Sequence, residues 1–162
     1  MPSPGSYALV LDATFATDKR AVHFLRVLID GGSSINILYK DTMEKLGIMQ
    51  RQLQNSRTMF HGIVPGLSYS PIGKILIDVL FGDKHHFRRE SVWFEVVDLE
   101  SPYHALLGQP ALAKFMAVPH YAYLKIKMPS SRGILTVASD YRKSSACTAG
   151  RVPSDCSREA TP

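Results

Sequence analysis

A mainly β fold carrying one or two short helices is what this sequence predicts, and three of its features predict it. β-Branched and aromatic residues come in short stretches, many alternating with polar neighbours; clusters of Gly, Pro, Ser and Asp separate them; and helical apolar spacing is confined to short segments. With 162 residues, 45% of them hydrophobic, the chain has material for one ordinary domain with a real core and too little for two.

Tyr7 to Ala16 is β-branched and apolar, and the polar run Thr17-Asp18-Lys19-Arg20 behind it reads as a hairpin connection into a second strand, His23 to Asp30. Ile35 to Tyr39 makes a third, short strand. Lys40 to Leu46, with Met43 and Leu46 three apart and Gly47 as a stop, suits a short helix. Between Thr58 and Phe81 two apolar arms, Met59 to Phe60 and Ile72 to Phe81, flank a centre of turn formers that includes Gly62, Pro65, Gly66 and Pro71, the pattern of a long hairpin with a mobile tip. Phe87 to Val97 alternates as a strand. Ala105-Leu106-Leu107 is a short apolar run stopped by Gly108, and Pro110 to Phe115 places proline in the first turn of a helix. Val118 to Met128 and Ile134 to Val137 read as closing strands. The domain therefore covers 7–138, behind a lead of residues 1–6, and the polar, patternless stretch 139–162 is expected to be a disordered tail.

Composition narrows the function. The excess of 19 Lys+Arg over 14 Asp+Glu gives +5, but the basic residues are scattered instead of forming a patch or stripe, so no dedicated nucleic-acid site is expected. Cys147 and Cys156 both lie in the polar terminal stretch, with neither metal-ligand spacing nor a secreted disulfide pattern, which points to a reducing compartment. No charged-then-apolar leader opens the sequence, and no apolar run reaches the roughly 18 residues of a membrane span. The expected location is intracellular, in the cytoplasm, with no membrane partner. The six histidines, at 23, 61, 85, 86, 104 and 120, form no H-x-x-x-H or H-E-x-x-H pattern, so no metal is placed.

The candidate for chemistry is Asp30, in Val-Leu-Ile-Asp-Gly-Gly-Ser-Ser at 27–34. A carboxylate there stands at the mouth of an apolar strand, and Gly31 and Gly32 allow a sharp turn and leave room for another backbone or a substrate. Spacing alone leaves an ordinary hairpin turn open, because Asp-Gly is also its strongest short signal. A phosphate-cradling turn fits badly, for no Lys follows the glycines and G-x-G-x-x-G is absent. Ser33 or Ser34 as a nucleophile lacks the G-x-S-x-G context and a histidine base assignable from sequence.

Four stretches, RVLIDGGSSINILYKDTMEKLGI, FHGIVPGLSYSPIGKI, VWFEVVDLESPYHALLGQPALAKFMAVPHYAYLKIKMP and GILTV, carry a resemblance to the retropepsin-like aspartic proteases. The chain is most similar to the protease segment of the Gag-Pol polyproteins of plant gypsy-class LTR retrotransposons, over about residues 7 to 138. The resemblance implies a half-barrel with a flap hairpin, completed by homodimerisation, in which Asp30 and its symmetry mate form one catalytic dyad. As in aspartic proteases generally, two such carboxylates share a proton; the charged one acts as general base on a water and the protonated one polarises the peptide carbonyl. The implied activity is an aspartic endopeptidase acting on an extended polypeptide, the retroelement polyprotein, with no cofactor. The alternative is an inactive retropepsin-like dimerisation or peptide-binding module; an unrelated α/β nucleotide-binding domain is a third.

Further roles follow from the same resemblance. Ser33 matches the place of a Ser or Ala whose hydroxyl can donate to the acid, and Gly32 a glycine whose amide faces the carboxylates; Ser34 completes the loop. Leu106, Leu107 and Gly108 match the apolar-apolar-Gly element that threads behind the acid loop and supports it. Gly62 to Pro71 matches the flap, with His61, Gly62, Ile63, Val64, Pro65 and Gly66 as its candidate residues. Gly31 departs from the family, which carries Thr or Ser after the acid to brace the partner loop. Losing that bond weakens the paired loops by about 0.5–1.5 kcal/mol per bond, so Gly31→Thr is expected to tighten the dimer. The C-terminal sequence also departs, since RVPSDCSREATP does not lead toward a reverse-transcriptase region, which implies a truncated or decayed copy.

Overall fold

The computed structural model describes residues 8–56, 60–64, 67–139 and 157–159, with the backbone alone for 60–64, 67–69 and 157–159. Leu9–Ala16 (β1) and Ala21–Ile29 (β2) pair antiparallel, with a register shift between Leu11 and Ala13. Their connection is closed by Thr17 N–H to Arg20 O at 2.8 Å and by Thr17 Oγ1, which accepts the Lys19 and Arg20 amides. Ile37–Tyr39 (β3) runs into Lys40–Lys45 (α1), and Gly47 leaves that helix at φ +75°, a conformation L side chains rarely adopt. Phe60–Val64 (β4) and Leu67–Tyr69 (β5) form a hairpin of their own. Gly73–Gly82 (β6) and Phe87–Val97 (β7) pair over ten positions, and β6 also lies against β1.

Ala105–Leu107 (β8) closes the sheet. It lies between β2, to which it is parallel through Val27↔Ala105 and Ile29↔Leu107, and β3, to which it is antiparallel. With β3 parallel to β7 at Ile37↔Glu95, the order β1-β6-β7-β3-β8-β2 returns to β1 and forms a closed ring of strands. A closed sheet has no free edges within the ring. Inside it the inward members of each alternation meet: Phe15 packs on Phe24 and Phe94 at centroid distances of 5.5 and 5.4 Å, with Ile77, Val79, Val96 and Leu38 around them. Each such side chain contributes about 1.5–3 kcal/mol by leaving water.

Gln109–Phe115 (α2) follows β8, and Val118–His120 (β9), Lys125–Ser130 (β10) and Gly133–Ala138 (β11) make a second, three-stranded sheet in the order β11-β10-β9. Arg88 joins these parts. Its guanidinium donates to Phe115 O (3.0 Å), Lys114 O (3.4 Å), Pro129 O and Glu90 Oε1 (2.8 Å), so one cation serves the last carbonyls of α2, a carbonyl of β10 and a carboxylate of its own strand. Among the described residues no helix is long and apolar enough to cross a membrane.

Three expectations are corrected. The arm Ile72 to Phe81 pairs with β7 and β1, while Phe60 pairs with Tyr69 and Met59 lies outside the described residues; the long hairpin is closed lower down, where Gln54 and Lys74 exchange N–H to O bonds of 2.9 Å in both directions. Val118 to Met128 is not one strand: Tyr121–Tyr123 form a 3-10 turn and Leu124 sits in the left-handed region at φ 52°. The alternating tyrosines that look like strand residues instead carry the chain around a corner. The third short strand starts at Ile37 and not Ile35, because Ile35 and Asn36 belong to the acid loop. The stretch 139–162 falls mostly outside the described residues; within it the backbone of Ser157–Glu159 (β12) pairs antiparallel with β2, Ser157 opposite Phe24.

His104 ties the loop before β8 to the barrel. Its N–H donates to Arg26 O (2.9 Å), its O accepts the Thr42 hydroxyl (2.7 Å), and its ring lies 4.9 Å from Phe24. Burial, helped by the charges of Lys45 and Arg26, pushes its imidazole down to about 3.

Two outcomes follow. The unfolded chain takes up a proton at His104 below about pH 6.5 and the folded chain does not until about pH 3, so stability falls as pH drops through that window. The slope is up to about 1.4 kcal/mol per pH unit. Denaturant titrations between pH 7 and pH 4 measure the fall, and His104→Phe, which keeps a ring against Phe24, flattens this component. Arg88→Met lowers the unfolding free energy by roughly 2–4 kcal/mol, since it orphans the α2 carbonyls and Glu90 together; urea midpoints of the two proteins measure it.

Candidate active site

Asp30 follows the last residue of β2, and its position is fixed before its side chain is considered. Its N–H donates to Leu107 O (2.9 Å) and its O accepts Ser33 N–H (3.1 Å), so the acid is pinned to β8 on one side and its own turn on the other. The half-buried carboxylate accepts the Gly32 amide at Oδ1 (3.0 Å); among the described residues Oδ2 has no hydrogen-bond partner. One oxygen is therefore oriented by the backbone and the other is unengaged among the described residues.

The glycines act by their smallness and not by unusual torsions. Gly31 and Gly32 form the sharp turn expected of them, closed by Ser33 N–H to Asp30 O, and do so without positive φ. A Cβ on Gly31 would lie 3.2 Å from the Tyr121 hydroxyl, and one on Gly32 3.3 Å from Asp30 Oδ1. Ser33 is corrected. Its hydroxyl donates to Ile35 O (2.8 Å) and accepts Ile35 N–H (3.3 Å), so its proton is committed to the loop and not to the acid. Ser34 is exposed.

Leu106 and Leu107 are buried in β8, and Gly108 beyond them touches backbone directly: a Cβ there would meet Ile35 O at 2.2 Å and Ser33 O at 2.7 Å. No other residue allows that approach. Backbone cannot move aside as a flexible side chain can, so the acid loop and the start of α2 are locked in one arrangement.

Three residues that sequence reasoning passed over complete the support. Asn36, buried, accepts Gly108 N–H (2.8 Å) and Ala111 N–H (3.3 Å) at Oδ1 and donates through Nδ2 to Trp93 O (3.0 Å), capping α2 and tying it to β7. Gln109 donates its backbone N–H to Ser33 O (2.8 Å) and its side-chain amide to Gly31 O (2.9 Å). Tyr121 accepts Gly31 N–H at 2.9 Å. A lone Asn before a short strand and a Gln after Gly108 carry no sequence signal of their own; Tyr121 was concealed by its apparent place in a strand.

The hairpin β4–β5 contains His61, Gly62, Ile63 and Val64, with pairs Phe60↔Tyr69 and His61↔Ser68 and a register shift before Val64↔Leu67; Pro65 and Gly66 lie outside the described residues. Beside the acid loop, Ser34 to Asn36, the Ser91 to Trp93 edge of β7, Glu95, Pro110 and Lys114 enclose a cleft of about 310 Å³.

No family model and no curated protein matches the chain. Solved structures do. The retroviral protease-like domain of Ddi1 from Leishmania major aligns at 15% identity over 80% of this chain and 88% of its own, with a TM-score of 0.52. A retropepsin-like aspartic protease from Rickettsia conorii aligns at 19% identity over 80% and 81%, with a TM-score of 0.45. A mostly β chain with short helices and a closed barrel-like sheet that aligns with the Ddi1 domain has the retropepsin-like acid-protease fold.

Proposed function

We propose that this chain is the protease domain of a retroelement of the plant gypsy class, an aspartic endopeptidase that cuts its own polyprotein as a homodimer. The observation that carries the reading is the acid loop itself: an Asp30 carboxylate with one oxygen held by the Gly32 amide and the other unengaged, on a loop anchored to buried strands. One chain supplies one such acid, and the water-mediated chemistry needs two, so a second copy supplies the other across a two-fold axis. In the pair a single proton is shared. The ionised carboxylate takes a proton from a water lying between the two, the water oxygen attacks the peptide carbonyl carbon, and the protonated carboxyl first polarises the carbonyl oxygen and then helps protonate the departing amine. The substrate is an extended polypeptide, with β4–β5 as the flap that closes over it and excludes water.

A second reading, a retropepsin-like peptide-binding or dimerisation module without catalysis, draws support from one observation. Position 31 carries no hydroxyl and that of Ser33 is turned to Ile35 O, so neither serine-type donor assists the acid.

Incubating the concentrated protein with its cognate Gag segment at mildly acidic pH, beside Asp30→Asn, separates the readings. Cleavage by the wild type and at least about 100-fold less by the variant is expected, the range of a lost general base. The rate should follow a bell-shaped pH profile with its maximum on the acidic side of neutral, since the dyad titrates as a unit. Equal behaviour of the two proteins, or a flat profile from pH 4 to 8 across the ordinary carboxyl range, removes catalysis from the reading.

A further inference from the structure

The peptide at Gly31 is held on both sides by side chains of its own chain. Its N–H donates to the Tyr121 hydroxyl oxygen and its C=O accepts the Gln109 side-chain amide, each at 2.9 Å. The two partners come from different places, α2's first residue and the 3-10 turn after β9. The tyrosine oxygen sits tightly against residue 31, which has no side chain: an added Cβ would be 3.2 Å from it and 3.8 Å from Leu112 Cδ1. Contacts of 3.2 Å between a Cβ and an oxygen are tighter than packed interiors normally hold, and the branched side chain of threonine would add further atoms to the same space.

We infer that Tyr121 is a positioning residue for the acid loop, matched to Gly31, and that it supplies from within the chain the hydroxyl that steadies the residue next to Asp30. The departure at position 31 is then one half of an exchange, hydroxyl on the loop for hydroxyl from β9's turn. The loop is braced in each subunit separately. This reverses the expectation for Gly31→Thr: the larger residue displaces the Tyr121 hydroxyl and loosens the loop instead of tightening a dimer.

The inference rests on the proposed role of Asp30 only for its effect on catalysis, so its test is read first without any cleavage. Four full-length proteins are compared: wild type, Tyr121→Phe, Gly31→Ala and the double variant. Tyr121→Phe keeps the ring and removes the acceptor. It should shift the Gly31 and Gly32 amide resonances and speed hydrogen exchange at Gly31 at least tenfold, while far-UV circular dichroism stays unchanged. Gly31→Ala should lower the Tm in the wild-type background and lower it by less than half as much in the Tyr121→Phe background, where the crowding oxygen is gone. An unchanged Gly31 amide in Tyr121→Phe, or an equal cost of Gly31→Ala in both backgrounds, overturns the inference. If the wild type cleaves polypeptide, Tyr121→Phe should depress kcat with KM unchanged, and an unaltered kcat also overturns it. If the wild type cleaves nothing, the catalytic reading of Asp30 fails and the amide and Tm results alone decide on Tyr121.

Discussion

Gly108 lies so close to the carbonyls of Ser33 and Ile35 that a single methyl group would not fit between them, and the rest of the site is arranged around that approach. Because residue 108 is only backbone, β8 can slide between β2 and β3, place Leu107 O on the Asp30 amide and start α2 directly beneath the acid loop. Asn36 then reads both parts at once, accepting from Gly108 and Ala111. The polar groups of an irregular loop are costly when unpaired and weakly favourable when paired. Around Asp30 most of the loop's backbone groups have partners, from β8, Gln109, Tyr121 and the turn itself. A loop satisfied in this way is rigid, and under the proposed function that rigidity would place the reacting carboxylate.

The barrel that carries the loop has a conflicting sensitivity. His104, stacked near Phe24 and bonded through its backbone to Arg26 and Thr42, is kept neutral by burial, so the fold loses support in acid. Under the proposed function dyad chemistry asks for acid, so the useful range would lie between these pulls, and dimerisation would add support that a lone subunit lacks, because association stabilises whichever state it selects.

Much of the fold was legible because its signals are local. Alternation in Phe87 to Val97, the Thr17 to Arg20 connection, the glycine after α1 and the proline in α2 each dictate geometry through a few neighbouring residues, and each appears where the sequence places it. Asp30 and the Leu-Leu-Gly element could be singled out because charge and glycine at strand ends are conspicuous. What escaped depends on distant partners. Tyr121 looks like a strand residue until the chain turns at Leu124, the hydroxyl of Ser33 is claimed by Ile35 only in three dimensions, and Asn36 gains its meaning from a helix more than seventy residues away.

The order of these contacts along the chain sets a timetable. Leu107, Gln109 and Tyr121, which hold Asp30 and Gly31 in place, all come some eighty to ninety residues after the acid. A ribosome that has just released Asp30 has released a carboxylate on a loose tether, and non-local pairings of this kind form late. The acid loop thus stays unbraced until synthesis has reached the turn after β9, and under the proposed function a nascent chain would carry an unassembled site until then.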